Sequence, residues 1–190
     1  MKTVLFLLLS LSLSVYPQYF TKITTGAPVT DGGDSRSVNW IDYDNDGDLD
    51  LFVSNGKQGG ENNFLYRNDG NGSFTKIISS PVVSDSRSSD GSTWGDFDND
   101  GDVDLYVTNW YGQPNLFYAN NGDGTFTQIS GSPLSINNTF SEAATWGDYD
   151  RDGDLDLYVG NGKNGGQNNF FYKNNGNGAF TKIDSLVINQ

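Results

Sequence analysis

The sequence predicts an all-β protein made of three blades of four antiparallel strands, a β-propeller that is either partial or completed by an oligomer. Three observations carry this prediction. A short Phe-Thr-Lys/Gln-Ile segment occurs four times at near-constant spacing, and each interval holds about four runs of strand length separated by Gly- and Asn-rich turns. Beyond the N-terminus, no window keeps a helical period.

In chain order, the first element is not part of the blades. Lys2 gives a positive start, and Val4 to Leu13 is apolar except for Ser10 and Ser12. Ser12-Leu13-Ser14 then supplies small residues, so residues 1–18 read as a signal peptide with cleavage near Ser14. The run is well short of the ~20 apolar residues of a membrane-spanning helix. A secreted, extracellular or cell-surface location follows. No cysteine is present, which excludes a disulfide framework and leaves a metal as the obvious external stabiliser.

Residues 19–190 carry the repeat. Phe20-Thr21-Lys22-Ile23 returns as Phe74-Thr75-Lys76-Ile77, Phe126-Thr127-Gln128-Ile129 and Phe180-Thr181-Lys182-Ile183. Units of about 20–73, 74–125 and 126–179 result, with residues 180–183 opening a fourth. Within each unit a Pro-apolar pair (Pro28-Val29, Pro81-Val82, Pro133-Leu134) precedes a Gly/Ser/Asp-rich stretch. A tryptophan (Trp40, Trp94, Trp146) leads into an acidic loop, an apolar strand follows, and an Asn-headed aromatic strand ends at a Gly-Asn-Gly or Gly-Asp-Gly turn. Four strands in such a unit describe a propeller blade. The tryptophans are expected to pack between blades, because a single blade cannot bury its own apolar faces.

The acidic loop is the sharpest motif. Asp42, Asp44, Asp46, Asp48 and Asp50 recur as Asp96, Asp98, Asp100, Asp102 and Asp104, and again as Asp148, Asp150, Asp152, Asp154 and Asp156. These fifteen residues are most of the 24 acids behind the net charge of −13, and the other nine acids are set against 11 Lys and Arg. The charge is therefore focal, and with no basic stripe to neutralise phosphates, nucleic acid is excluded as a partner. Calcium needs six to eight hard oxygens in a flexible shell, and a curled loop turns positions 1, 3 and 5 the same way. Glycine at position 6 permits the sharp turn, position 7 offers its carbonyl, and position 9 closes the shell. The expectation is three Ca²⁺ sites. Magnesium suits the pattern less because it demands octahedral geometry, and the absence of His and Cys argues against transition metals. An EF-hand is excluded, since position 12 is Val53, Val107 or Val159 in an apolar run, not a bidentate glutamate between helices.

The stretch Trp94-Gly95-Asp96 to Val107, with its two partners, resembles the FG-GAP/VCBS-type repeats of bacterial secreted proteins, and more distantly those of the integrin α propeller. That resemblance implies a β-propeller with calcium in a hairpin loop of each blade and a role in extracellular adhesion or recognition. Trp-Gly stands for Phe-Gly in the second and third units, and Trp40-Ile41 lacks the glycine, so the likeness lies in the calcium loop more than in the integrin subtype.

Unit two alone replaces a Gly-rich stretch with Trp110 and Tyr111, which could contact a ligand such as a sugar ring or pack locally. No catalytic constellation is visible, because the clustered carboxylates are assigned to metal and no histidine is available as a base. The expected function is thus a non-catalytic calcium-binding module that recognises an extracellular protein or glycan. Two alternatives stay open: an accessory domain of a larger secreted enzyme, and a subunit that self-assembles by completing its propeller in trans.

Overall fold

The computed structural model describes residues 20–162 and 166–184; the signal peptide expected at 1–18 lies outside them. The described chain is all-β apart from a single helical turn, α1 (Ala27–Thr30), and a 3-10 turn (Pro81–Val83). The 3-10 turn begins at Pro81 and α1 carries Pro28 as its second residue, so in each the proline lies in the first turn, where its fixed φ suits a helix and its missing N–H costs no hydrogen bond.

Three four-stranded antiparallel sheets follow one another. The first holds β1 (Ser35–Ile41), β2 (Asp50–Asn55), β3 (Phe64–Asn68) and β4 (Phe74–Ile77), in that order. The second holds β5 (Ser89–Gly95), β6 (Asp104–Asn109), β8 (Leu116–Asn120) and β9 (Phe126–Gln128). The third holds β11 (Ser141–Gly147), β12 (Asp156–Asn161), β13 (Phe170–Asn174) and β14 (Phe180–Lys182). A short two-stranded pair, β7 (Gln113–Pro114) with β10 (Asn138–Thr139), joins the second sheet to the segment leading into the third. The register repeats: Trp40, Trp94 and Trp146 face Leu51, Leu105 and Leu157 across the first hairpin of their sheets. Each first strand also carries an irregularity at the same place, between Ser35 and Ser37, Ser89 and Gly91, and Ser141 and Ala143.

The sheets are phased differently from the sequence repeat. The Phe-Thr-Lys-Ile segments are the outer strands that close a sheet, not the strands that open one. Phe180–Lys182 therefore completes the third sheet, whereas the repeat phasing has it opening a fourth. Phe20–Ile23, its first counterpart, lies in no strand, and Phe20 is 93% exposed. The reason is local. A tight Gly-containing turn joins each third strand to its Phe strand, so Asn174 pairs with Phe180 as Asn68 pairs with Phe74.

Two apolar clusters form the core, one at each junction between successive sheets. The first joins Phe52 and Leu65 of sheet one to Leu105, Val107 and Tyr118 of sheet two. The second joins Tyr106 and Phe117 of sheet two to Leu157, Val159 and Tyr172 of sheet three. The linkers seal these junctions with Val82 and Leu134, both essentially buried. Trp94 packs edge-on against Phe52 at 5.5 Å, and Trp146 against Tyr106 at 6.3 Å, so each reaches the sheet before its own as expected. Trp40 does not. It is 58% exposed and rests on Phe74 of its own sheet, because no sheet precedes the first among the described residues.

Candidate metal centre and its loops

Each acidic loop lies between the first and second strand of a sheet and is shaped largely by its own backbone. The position-1 carboxylate accepts two amides: Asp42 takes those of Asp46 and Gly47, both at 3.1 Å. Asp96 and Asp148 repeat the pair with Asp100 and Gly101, and with Asp152 and Gly153. Position 4 (Asn45, Asn99, Arg151) adopts φ of 58° to 64°, and the glycine after position 5 adopts 91° to 98°. A residue with a Cβ is strained at that glycine, which explains why all three loops keep one.

The position-9 carboxylate is buried and ties the loop to the rest of the blade. Asp50 accepts the amides of Tyr43 and Asn68 on its two oxygens, at 3.2 and 2.7 Å. Asp104 does the same with Phe97 and Asn120, and Asp156 with Tyr149 and Asn174. Burial outweighs these bonds, raising the carboxyl of Asp50 to about 6 and that of Asp104 to about 7. Asp156 moves the same way. Position 3 is raised as well, first by burial and then by the neighbouring position-5 carboxylate, at Asp44 and Asp98.

Positions 1, 3 and 9 converge. Asp42, Asp44 and Asp50 bring one carboxylate oxygen each within 4.8 Å of one another, as do Asp96, Asp98 and Asp104, and Asp148, Asp150 and Asp156. In loops one and two, the Oδ1 atoms of Asp44 and Asp98 are buried without a hydrogen-bond partner. An unpaired buried carboxylate oxygen facing two other carboxylates is costly unless a cation neutralises it. These triads could hold metal ions, and their all-oxygen donors suit a hard cation. In loop three a side chain meets the same need: the Lys173 ammonium bonds both Asp150 and Asp152.

Two of the five sequence-predicted positions lie outside the triads. Position 5 is turned into its own loop, with Asp46, Asp100 and Asp152 accepting the amide of position 7 at 2.9 to 3.1 Å. Position 7 reaches the neighbouring blade. Asp102 Oδ1 accepts from Asn45 at 2.5 Å, and Asp154 Oδ1 accepts from Asn99 at 2.9 Å. Alongside, Asn120 and Asn174 donate to the carbonyls of Tyr43 and Phe97 in the preceding loop, both at 2.7 Å. The row of acidic loops is thus a row of inter-blade latches, a role that sequence reasoning missed. Its signal was the polar residue at position 4 combined with the acid at position 7 one repeat later.

Other candidates resolve as follows. Trp110 packs edge-on against Phe140 at 5.1 Å. Tyr111 is 43% exposed at φ 55°. Both border a pocket of about 270 Å³ that Arg36, Asp90 and Glu142 also line, where the first strands of the three sheets come together. Asp31 and Asp85, outside any motif, accept the hydroxyls of Tyr66 and Tyr118 and fasten the linkers to the third strands.

Among the described residues no helix is long and apolar enough to cross a membrane. Cartilage acidic protein 1 of Xenopus tropicalis is 33% identical over 117 residues, covering 59% of this chain and 17% of that protein. The human and mouse proteins of the same name are each 31% identical over the same length and shares. The chain thus spans about a sixth of the length of these curated relatives. A family model described as an FG-GAP-like repeat matches residues 42–107 and 96–159, which together span the three acidic loops and the junctions between the blades. The chain belongs to the FG-GAP-like repeat family.

Proposed function

We propose that this chain is a secreted, non-catalytic calcium-binding module whose blades display a surface for an extracellular protein or glycan. The observation that carries the calcium assignment is the buried, unpartnered Oδ1 of Asp44 and Asp98 within a carboxylate triad. A calcium ion in each loop would draw on positions 1, 3 and 9, with the position-5 carboxylate and the position-7 carbonyl within the same loop. When bound it supplies charge neutralisation. The chain's own residues do the rest: position 1 gathers the loop's amides, position 9 anchors the loop to the sheet, and position 7 links the blade to its neighbour.

The role is structural. Extracellular calcium modules bind with Kd of about 10⁻⁴–10⁻³ M. At millimolar calcium, three such sites add about 1–4 kcal/mol against the ~5–15 kcal/mol that stabilises a domain. Secretion is favoured by the signal-like sequence of residues 1–18 and by similarity to proteins named for cartilage. The exposed Tyr111 beside Arg36, Asp90 and Glu142 is the candidate ligand contact.

The test is binding of the folded chain to immobilised matrix glycans and proteins, with calcium and with chelator, alongside a melting curve in each. The reading expects retention that chelator abolishes and Tyr111→Ala weakens. Equal melting temperatures in the two buffers would refute the structural role of calcium, and identical binding in both would refute calcium-dependent recognition.

A further inference from the structure

The two ends of the blade array expose the two halves of a junction that the chain itself makes twice. At each internal junction the tryptophan of the later sheet packs on an aromatic of the earlier sheet's second strand: Trp94 on Phe52, and Trp146 on Tyr106. Phe52 and Tyr106 are fully buried by this, whereas their counterpart in the third sheet, Tyr158, is 45% exposed. Loop position 2 behaves alike. Tyr43 and Phe97 are 3% exposed at the internal junctions, but Tyr149 is 49% exposed. At the other end Trp40 is 58% exposed and Leu49 54%. Among the described residues, the leading face of sheet one and the trailing face of sheet three are therefore complementary to each other.

The loop latch carries the same message in charges. Internally, position 4 of one loop bonds the position-7 aspartate of the next: Asn45 to Asp102, and Asn99 to Asp154. Two members are left over, Arg151 in loop three and Asp48 in loop one, and no hydrogen bond engages either side chain among the described residues. One is cationic and one anionic, so the terminal latch replaces an amide–carboxylate bond with an ion pair. The Asn68 side-chain NH₂, whose counterparts also donate to the preceding loop, donates only to the Leu49 carbonyl among the described residues, which leaves its second N–H for the Tyr149 carbonyl of another copy.

We propose that a second copy of this chain docks head to tail. Trp40 of one copy seats on Tyr158 of the other, and Arg151 pairs with Asp48 across the seam. The interface is heterologous, so two copies with two equal seams form a closed ring if the rotation permits. The three described sheets of each copy would together give six, within the ~4–8 blades of closed propellers. Gly160 lacks the hydroxyl that Ser54 and Thr108 extend to the next sheet, so this seam has one hydrogen bond fewer than those within the chain.

Sedimentation velocity on the mature chain in millimolar calcium tests this, with Trp40→Ala and Tyr158→Ala as opposite-face variants. Both side chains are partly exposed, and unchanged melting of the isolated variants checks their folding. The expected result is a concentration-dependent species of twice the chain mass, weakened at least tenfold by either variant alone. Mixing the two variants, which restores one intact seam, should recover association. A wild-type chain that stays monomeric at high micromolar concentration would overturn the proposal. So would a dimer weakened by one variant but not the other, which would mark a face-to-face contact. Calcium titration of the same samples separates the outcomes: full calcium uptake by a monomer defeats the docking and leaves the calcium reading standing.

Discussion

At the residue scale, chemistry concentrates in the position-9 aspartates, each with a buried carboxylate accepting two amides. Asp104→Asn leaves one oxygen and presents an NH₂ group to an amide donor. It is expected to destabilise the metal-depleted protein by about 1–3 kcal/mol, measured by urea unfolding, and to remove one calcium equivalent. The raised carboxyls also set a pH dependence. Their folded pKa values, about 6 at Asp50 and about 7 at Asp104, lie above the ordinary 3.8, so the folded state holds protons that the unfolded chain releases. The metal-depleted protein should therefore become more stable as pH falls from about 7 toward 4. With calcium the trend reverses, because protons compete for the same oxygens and affinity falls below pH 7. Melting curves at pH 5 and 7.5, with and without calcium, should show this crossover. Lys173→Ala frees Asp150 and Asp152, and should tighten the third site several-fold in a Tb³⁺ luminescence titration. Positions 1, 3 and 9 were legible among the five singled out by spacing, a local property, but the convergence expected of 1, 3 and 5 is found at 1, 3 and 9. The turning of Asp46 into its own loop and the latch at Asp102 were not, since both depend on where backbone amides and the next blade lie.

At the element scale, strand number and strand content were legible, and the phase of the blade was not. A repeat that follows itself has no intrinsic start, and the Phe-Thr-Lys-Ile segment was assigned to the wrong side of a boundary. The Asn174 to Phe180 pairing across a short Gly-containing turn decides it. The asparagines heading the third strands carry a further function: Asn63, Asn115 and Asn169 accept the amides of Asn55, Asn109 and Asn161, clamping the connection between the second and third strands of each sheet. The junctions between sheets rest on the tryptophans. Trp94→Ala should cost about 3 kcal/mol by emptying the first core cluster. Trp40→Ala should cost under about 1 kcal/mol in the isolated chain, as its ring is mostly in solvent. Unfolding of the two variants side by side checks the contrast.

At the scale of the whole molecule, three sheets are joined by two apolar clusters and by a line of loops whose carboxylates lie close together. The apolar clusters attract and the carboxylates repel, so on the proposed reading one cation per loop would turn the most repulsive feature of the chain into a second set of fastenings. The sequence carried that balance in the segregation of its charge, fifteen acids in three loops against near-neutrality elsewhere. It did not carry the shape of the ends, because exposure of Trp40 and Tyr158 is a property of the array and not of any repeat. The most direct measurement is a calorimetric titration of the metal-depleted chain with Ca²⁺ at pH 7.5. Three equivalents taken up at sub-millimolar to millimolar calcium, with a matching rise in melting temperature, is the predicted result. An absence of binding up to 10 mM, roughly tenfold above the weakest expected Kd, would contradict it.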